Sequence, residues 1–274
     1  MLKIAVCQLP LTIENPEENI DLANAAIRDA ASLGAELIVL PELTNSGCIF
    51  RNIAELEMRA TTLDGDLIRE WIHLAERLKV VIVAGLAIKD SGNFYNASVI
   101  IDETGFLGWY KKVHLWNDEL DYFTAGEATP LIVDTNVGRI ATMVCYDIEF
   151  PEWARLAMLD DASVLAIPMN WPDSGRPSDQ TPLPVLLVQA AATQNKMIVA
   201  AANRTREERG VSWTGASLIA DSDGLISIIA DQKRFDETQI LIADVELPVD
   251  RKIGPRNDLK NDRRPDLYQQ ILNW

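Results

Sequence analysis

Histidine is nearly absent from this 274-residue chain, which has only His73 and His114. A Ser-His or Cys-His enzyme would have to rely on His114, because His73 falls on the polar side of an amphipathic stretch. Cysteine is scarce too. Cys7, Cys48 and Cys145 make an odd count that does not suggest a disulfide framework in a chain this long. Basic residues are in deficit: 25 Lys and Arg against 41 Asp and Glu leave a formal net charge of −16. Such a surface repels phosphate backbones and anionic lipid, so neither nucleic acid nor a membrane is an expected partner. No apolar run approaches the roughly 20 residues that span a bilayer. "MLKIAVCQLPLT" lacks the basic segment and long apolar stretch of a signal peptide, so the expected compartment is the cytoplasm. The triplets "NAS" and "NRT" then read as accidental matches to the glycosylation pattern. There is no G-x-G-x-x-G, no G-x-x-x-x-G-K-[ST], no H-E-x-x-H and no C-x-x-C. Dinucleotide, nucleotide and structural-zinc chemistry lack a signature, and two histidines offer a metal few imidazoles.

What is present is ordinary globular material, 48% apolar and 24% charged, enough for a sizeable core. Length alone allows one or two domains. No linker rich in Gly, Ser or Pro interrupts the chain and no repeat is visible, so residues 1–274 read as one domain. Residues 2–9 read as a buried strand. Residues 15–34 read as a helix with Asn15 as cap, Pro16 in the first position and Gly34 as the stop. Residues 35–42 form a short apolar run that delivers Glu42 at its end. Residues 64–79 place Leu67, Trp71, Leu74 and Leu78 on one helical face. Further strands are expected at 80–89, 93–102, 106–113, 139–145 and 163–170, strands or hairpins at 196–204, 215–228 and 239–247, and helices after Pro151 and over 184–195. This mixture of βαβ alternation and consecutive strands argues for α/β sheets covered by helices on their outer faces. The polar tail from about residue 250 is expected to pack on a neighbour or on the outer surface.

Position alone leaves several residues open. Glu42 is either a strand-ending acid in solvent or a general base beside apolar walls. The lysines of "YKKVHLW" are either solvated or functional, and His114 fits a hydrogen-bonded structural role. Cys7, in mid-strand, and Cys48, in a loop, fit packing. Cys145 closes a strand just before a helix, where backbone N–H groups and the helix terminus stabilise a thiolate and an oxyanion.

"LPEL" with Glu42, "YKKVHLW" with Lys112 and "CYDIEFPE" with Cys145 together resemble the Glu, Lys and Cys motifs of the nitrilase (carbon–nitrogen hydrolase) superfamily, in its order and spacing. "ELDYFTAG", "PMNWP", "VAAANR", "WTGASLIADSDG" and "DRRPDLY" extend the resemblance over nearly the whole chain. The resemblance implies a four-layer α-β-β-α sandwich, a homodimer or higher homo-oligomer, and no metal or organic cofactor. It also implies that Cys145 is the nucleophile, Glu42 the base and Lys112, not Lys111, the catalytic lysine. Glu119 matches a second, substrate-positioning glutamate, and the Tyr146 N–H is an oxyanion donor. A small-molecule amide is the implied substrate, cleaved through an acyl-thioester.

Amidase, nitrilase and carbamoylase share these residues. Relatives that act on N-carbamoyl amino acids tend to carry an arginine where Glu149 stands, so the sequence favours neutral or cationic carboxamides. An N-carbamoyl amine such as carbamoylputrescine is the alternative, a nitrile less favoured, and a non-catalytic member of the superfamily least. Trp116, Tyr122, Asn170 and Trp171 join Glu149 as candidates for the pocket, and Trp213 is another possible wall.

Overall fold

The computed structural model describes residues 1–173, 175–177 and 179–273. The elements run β1 (Leu2–Gln8), α1 (Pro16–Ser32), β2 (Leu37–Val39), α2 (Ile53–Arg59), α3 (Asp66–Leu78), β3 (Val81–Asp90), β4 (Asn93–Asp102) and β5 (Gly105–Lys111). Then follow α4 (Glu119–Tyr122), β6 (Leu131–Thr135), β7 (Gly138–Thr142), α5 (Pro151–Leu159), β8 (Val164–Met169), α6 (Leu183–Asn195) and β9 (Ile198–Asn203). β10 (Leu218–Ala220), β11 (Ile226–Ile229), β12 (Gln239–Val245) and α7 (Pro265–Tyr268) complete the chain.

Local chemistry explains the better-defined helices. The Asn15 side chain accepts from the Glu18 N–H at 3.3 Å, Pro16 supplies a preset φ, and Gly34 at φ +87° ends α1. On α3 the buried face is Leu67, Ile68, Trp71, Leu74 and Ala75, while His73 is exposed. Trp71 Nε1 donates to Asn24 Oδ1 at 2.9 Å and ties α3 to α1.

The strands form two six-stranded sheets, ordered β12-β1-β2-β3-β4-β5 and β6-β7-β8-β9-β10-β11. Read in those directions, both sheets repeat one pairing pattern: antiparallel, parallel, parallel, antiparallel, antiparallel. The halves are thus related in topology although no sequence repeat shows it.

Period-two alternation sorts the strand side chains into layers. Ile4, Val6, Val39, Val83, Ile140, Ala166 and Ala200 fill the space between the sheets. Ala5, Cys7 and Ile38 point the other way, with Ala26, Ile27 and Trp71 of α1 and α3. Ala141, Leu165 and Val199 likewise face Ala157, Val188 and Ala192 of α5 and α6. Each fully buried Val, Leu or Ile contributes about 1.5–3 kcal/mol. The result is the α-β-β-α sandwich expected from the resemblance.

The tail anchors to its own chain. Arg251 donates to the Ala162 carbonyl at 2.6 Å, and Lys260 pairs with Asp161 at 2.5 Å. Leu267, Tyr268 and Ile271 remain exposed. Trp274, the end of the expected tail, lies outside the described residues. Among the described residues no helix is long and apolar enough to cross a membrane.

Candidate active site

The carboxyl ends of parallel strands are where open α/β sheets gather chemistry, and β2, β7 and β8 end together here. β2 stops at Val39, and Leu40 and Pro41 carry the chain to Glu42. The Glu42 N–H donates to the Met169 carbonyl at the end of β8, 3.3 Å away, so the two sheets are joined at this point. β3 passes so close that a Cβ on Gly85 would sit 2.4 Å from Glu42 Cα. Only glycine permits that approach.

Lys112 follows β5 and is buried, as is Glu42, each 1% exposed. Lys112 Nζ donates to Glu42 Oε1 at 2.8 Å and to Glu119 Oε1 at 2.9 Å. Its neighbour Lys111 points away, over the Tyr95 and Trp109 rings and toward Asp90. A Cβ on Gly126 would strike the Lys111 carbonyl oxygen at 2.2 Å, and the Gly126 N–H donates to the Lys112 carbonyl at 2.9 Å. That glycine lets the chain close over Lys112. Glu119 opens α4, and its Oε2 accepts from the Trp116 N–H at 2.7 Å.

Asn96 completes the cluster, and no sequence motif flagged it. Its Nδ2 donates to Glu42 Oε1 at 2.6 Å and to Glu119 Oε1 at 2.7 Å, from the middle of β4. The "NAS" triplet is therefore buried structure, with Asn96 1% exposed. The polar residues Asn96 and Ser98, interrupting the apolar residues of β4, were the available signal.

Two carboxylates and one ammonium share this pocket of low solvation. Burial alone would lower Lys112, but Glu119 and Glu42 outweigh it and hold the ammonium well above its ordinary value. Burial pushes the Glu119 carboxyl up; Lys112 opposes this and Glu42 adds to it.

Cys145 lies beyond the end of β7, in a left-handed conformation at φ +47°. A non-glycine residue there costs about 1–3 kcal/mol and persists only where its surroundings hold it. Asp147 does the holding. It accepts from the Val144 N–H (3.0 Å), the Tyr110 hydroxyl (2.9 Å), the His114 N–H (3.0 Å) and His114 Nδ1 (2.7 Å). Trp153 Nε1 donates to the Tyr110 hydroxyl at 2.8 Å, and the His114 ring stacks on Phe150 at 3.7 Å. His114 thus has the structural role expected of it, with an acid partner that the sequence hid.

The helix expected directly after the strand is a 3₁₀ turn here, not an α-helix. Cys145–Glu149 is a single 3₁₀ stretch, and α5 begins only at Pro151. Burial and the Glu42 carboxylate push the Cys145 thiol well up, against Lys112 and the Asn170 N–H. Burial and that neighbouring carboxylate thus disfavour a preformed thiolate.

Cys145, Glu42, Lys112 and Glu119 open into one cavity of about 350 Å³. The pocket candidates Trp116, Tyr122, Glu149, Asn170, Trp171 and Trp213 all line it, and so does Tyr146, the expected oxyanion donor. Trp116, Asp118 and Glu149 are exposed and form its mouth. Cys48 lines it too, on a loop held by Glu208, whose Oε1 accepts from the Cys48 and Ile49 N–H groups at 2.7 and 2.8 Å. A larger surface depression of about 670 Å³, near Trp109 and Leu156, contains none of the four clustered residues.

Comparison with known proteins agrees with this architecture. The "Nitrilase" of Pyrococcus abyssi is 32% identical over 269 residues, covering 98% of this chain and 99% of that protein. The 2-oxoglutaramate amidase of Bacillus subtilis is 32% identical over 275 residues, covering 97% and 98%. A solved structure of the amidase from Nesterenkonia sp. AN1 superposes with a TM-score of 0.80, covering 99% of this chain and 100% of that one at 24% identity. Residues 3–252 match the carbon-nitrogen hydrolase family model, and the chain belongs to that family, in the nitrilase superfamily.

Proposed function

We propose that the chain is a cysteine-dependent amidase that hydrolyses small neutral or cationic carboxamides to acid and ammonia. Cys145 attacks the amide carbonyl while Glu42 accepts the thiol proton. The raised thiol makes proton transfer part of the attack. The oxyanion is held by Lys112, whose ammonium stays charged, and by the Tyr146 N–H. On collapse the C–N bond breaks, and Glu42 returns the proton to the leaving nitrogen. A water deprotonated by Glu42 then attacks the acyl-thioester; its collapse expels Cys145, and the acid is released.

The charge of the lining carries the substrate class. Among the described residues that line the cavity there is no arginine, and the one lysine, Lys112, is already paired with two carboxylates. Asp118 and Glu149 stand at the mouth. An anionic substrate meets like charge worth ~1–4 kcal/mol at contact distance, depending on solvation. The same two acids favour a cationic tail, which supports an N-carbamoyl amine as the second reading.

The test is kcat/KM for alkyl amides, amino-alkyl amides, N-carbamoyl amines, N-carbamoyl amino acids and nitriles in one buffer. Amides lead and Cys145→Ala abolishes turnover while remaining folded. A clear preference for N-carbamoyl amino acids would reject the substrate class. The exposed Leu267, Tyr268 and Ile271 support association with a second copy. Sedimentation that gives only monomer would refute that part.

A further inference from the structure

The cavity contains buried polar groups that the protein itself leaves without partners. Asn170 is 4% exposed, and neither its Nδ2 nor its Oδ1 has a hydrogen-bond partner. Trp213 Nε1, in a residue 2% exposed, is in the same condition, and both residues line the cavity with Cys145. A buried polar group left unsatisfied is costly, so each one in a native fold needs a reason.

The placement of Asn170 is not loose. It directly follows β8 and lines the same cavity as Cys145. The next residue is pinned on both sides: the Trp171 N–H donates to Asn203 Oδ1 at 2.9 Å, and the Trp171 carbonyl accepts from the Thr214 N–H at 2.9 Å. The unused amide therefore sits on fixed backbone beside the atom that would carry the acyl group.

The scissile amide does not need it. In the amidase reading, on which this inference rests, the carbonyl oxygen has Lys112 and the Tyr146 N–H, and the nitrogen has Glu42. What remains unread is the acyl chain. We infer that the Asn170 side chain recognises a neutral polar group on the acyl chain, so that the preferred substrates are carboxamides carrying a hydroxyl or a second carboxamide close to the scissile carbonyl. Each of those groups is both a donor and an acceptor and satisfies Nδ2 and Oδ1 together. An alkyl group satisfies neither. A carboxylate satisfies only Nδ2 and meets Oδ1 with a lone pair.

Matched pairs test this: lactamide against isobutyramide, and malonamide against 3-methylbutyramide, each pair near-isosteric. The polar member is expected to lead in kcat/KM by about tenfold or more. The ratio within each pair falls toward one in Asn170→Ala and inverts in Asn170→Leu. Using ratios removes any general loss of activity in the variants. A wild-type ratio near one, or a ratio unchanged in both variants, overturns the inference. Absence of ammonia from every amide would instead sink the amidase reading. In that event the same pairs compete with iodoacetamide for Cys145, followed by intact mass. Stronger protection by the polar members supports the inference, and equal protection overturns it.

Discussion

Replacing Asn96 by alanine should move the pH dependence of catalysis, not merely its size. Asn96 Nδ2 carries two protons, one directed at Glu42 Oε1 (2.6 Å) and one at Glu119 Oε1 (2.7 Å). Its Oδ1 has no partner, so everything the side chain does here passes through Nδ2. A hydrogen bond to a charged group is worth ~1.5–3 kcal/mol. Without it, two buried carboxylates share only Lys112, and a proton taken up between them relieves the excess negative charge. The acid limb of kcat/KM should therefore move to higher pH. A kcat loss of about ten- to a hundredfold should accompany it, as the base is misplaced and partly protonated. The assay is ammonia release against pH for one neutral amide, with thermal denaturation at each pH to exclude unfolding. Asn96→Asp tests the sign, because a third buried carboxylate should be far worse than alanine. An acid limb in its wild-type position, with the rate simply lowered, would refute the reasoning and reduce Asn96 to packing.

Lys112→Ala should cost at least about a hundredfold in kcat, and Lys111→Ala should cost little, because Lys111 lies over Tyr95 and Trp109 on the other face; equal losses would overturn that assignment. Glu55, clamped by Arg209 at 2.7 and 2.8 Å, is lowered from 4.5 to about 2, chiefly by that side-chain bond. Its contribution is fully present above the ordinary carboxylate range and is lost as pH falls from 4.5 toward about 2, so Glu55→Gln should remove up to ~3 kcal/mol at neutral pH and flatten acid unfolding. An unchanged acid transition in chemical denaturation would contradict it. Gly85→Ala should displace Glu42, whose Cα a new Cβ would meet at 2.4 Å, and lower kcat by about a hundredfold; a fully active variant would show that β3 can yield.

Features that depend on near neighbours in the chain are readable from residue order. α1 was legible because its cap, its proline and its stop all lie within the helix or beside it. The opposite facing of Lys111 and Lys112 follows from strand period. The layers follow from alternation, since each strand must bury one face against the other sheet and one against helices. β6 and α2 carried no such signal: β6 is a short, half-buried edge strand and α2 only seven residues. Glu42, Lys112 and Cys145 were legible as motifs, each on its own stretch of chain.

How those stretches act on one another follows from the packed fold. Lys112 meets Glu42 across 70 residues of sequence, and Asn96 meets it across 54. No local pattern specifies an asparagine that bridges two carboxylates, or an aspartate that gathers a tyrosine, a histidine and a backbone N–H behind a strained cysteine. Those partners come from β4, β5 and the turn after β7, and packing brings them together. The thiol's state was decided there as well. The sequence placed Cys145 before a helix and implied a thiolate. In the fold, burial and the Glu42 carboxylate oppose the charge. Charge stabilisation at a buried site depends on distance and solvation in three dimensions, and neither is a property of residue order.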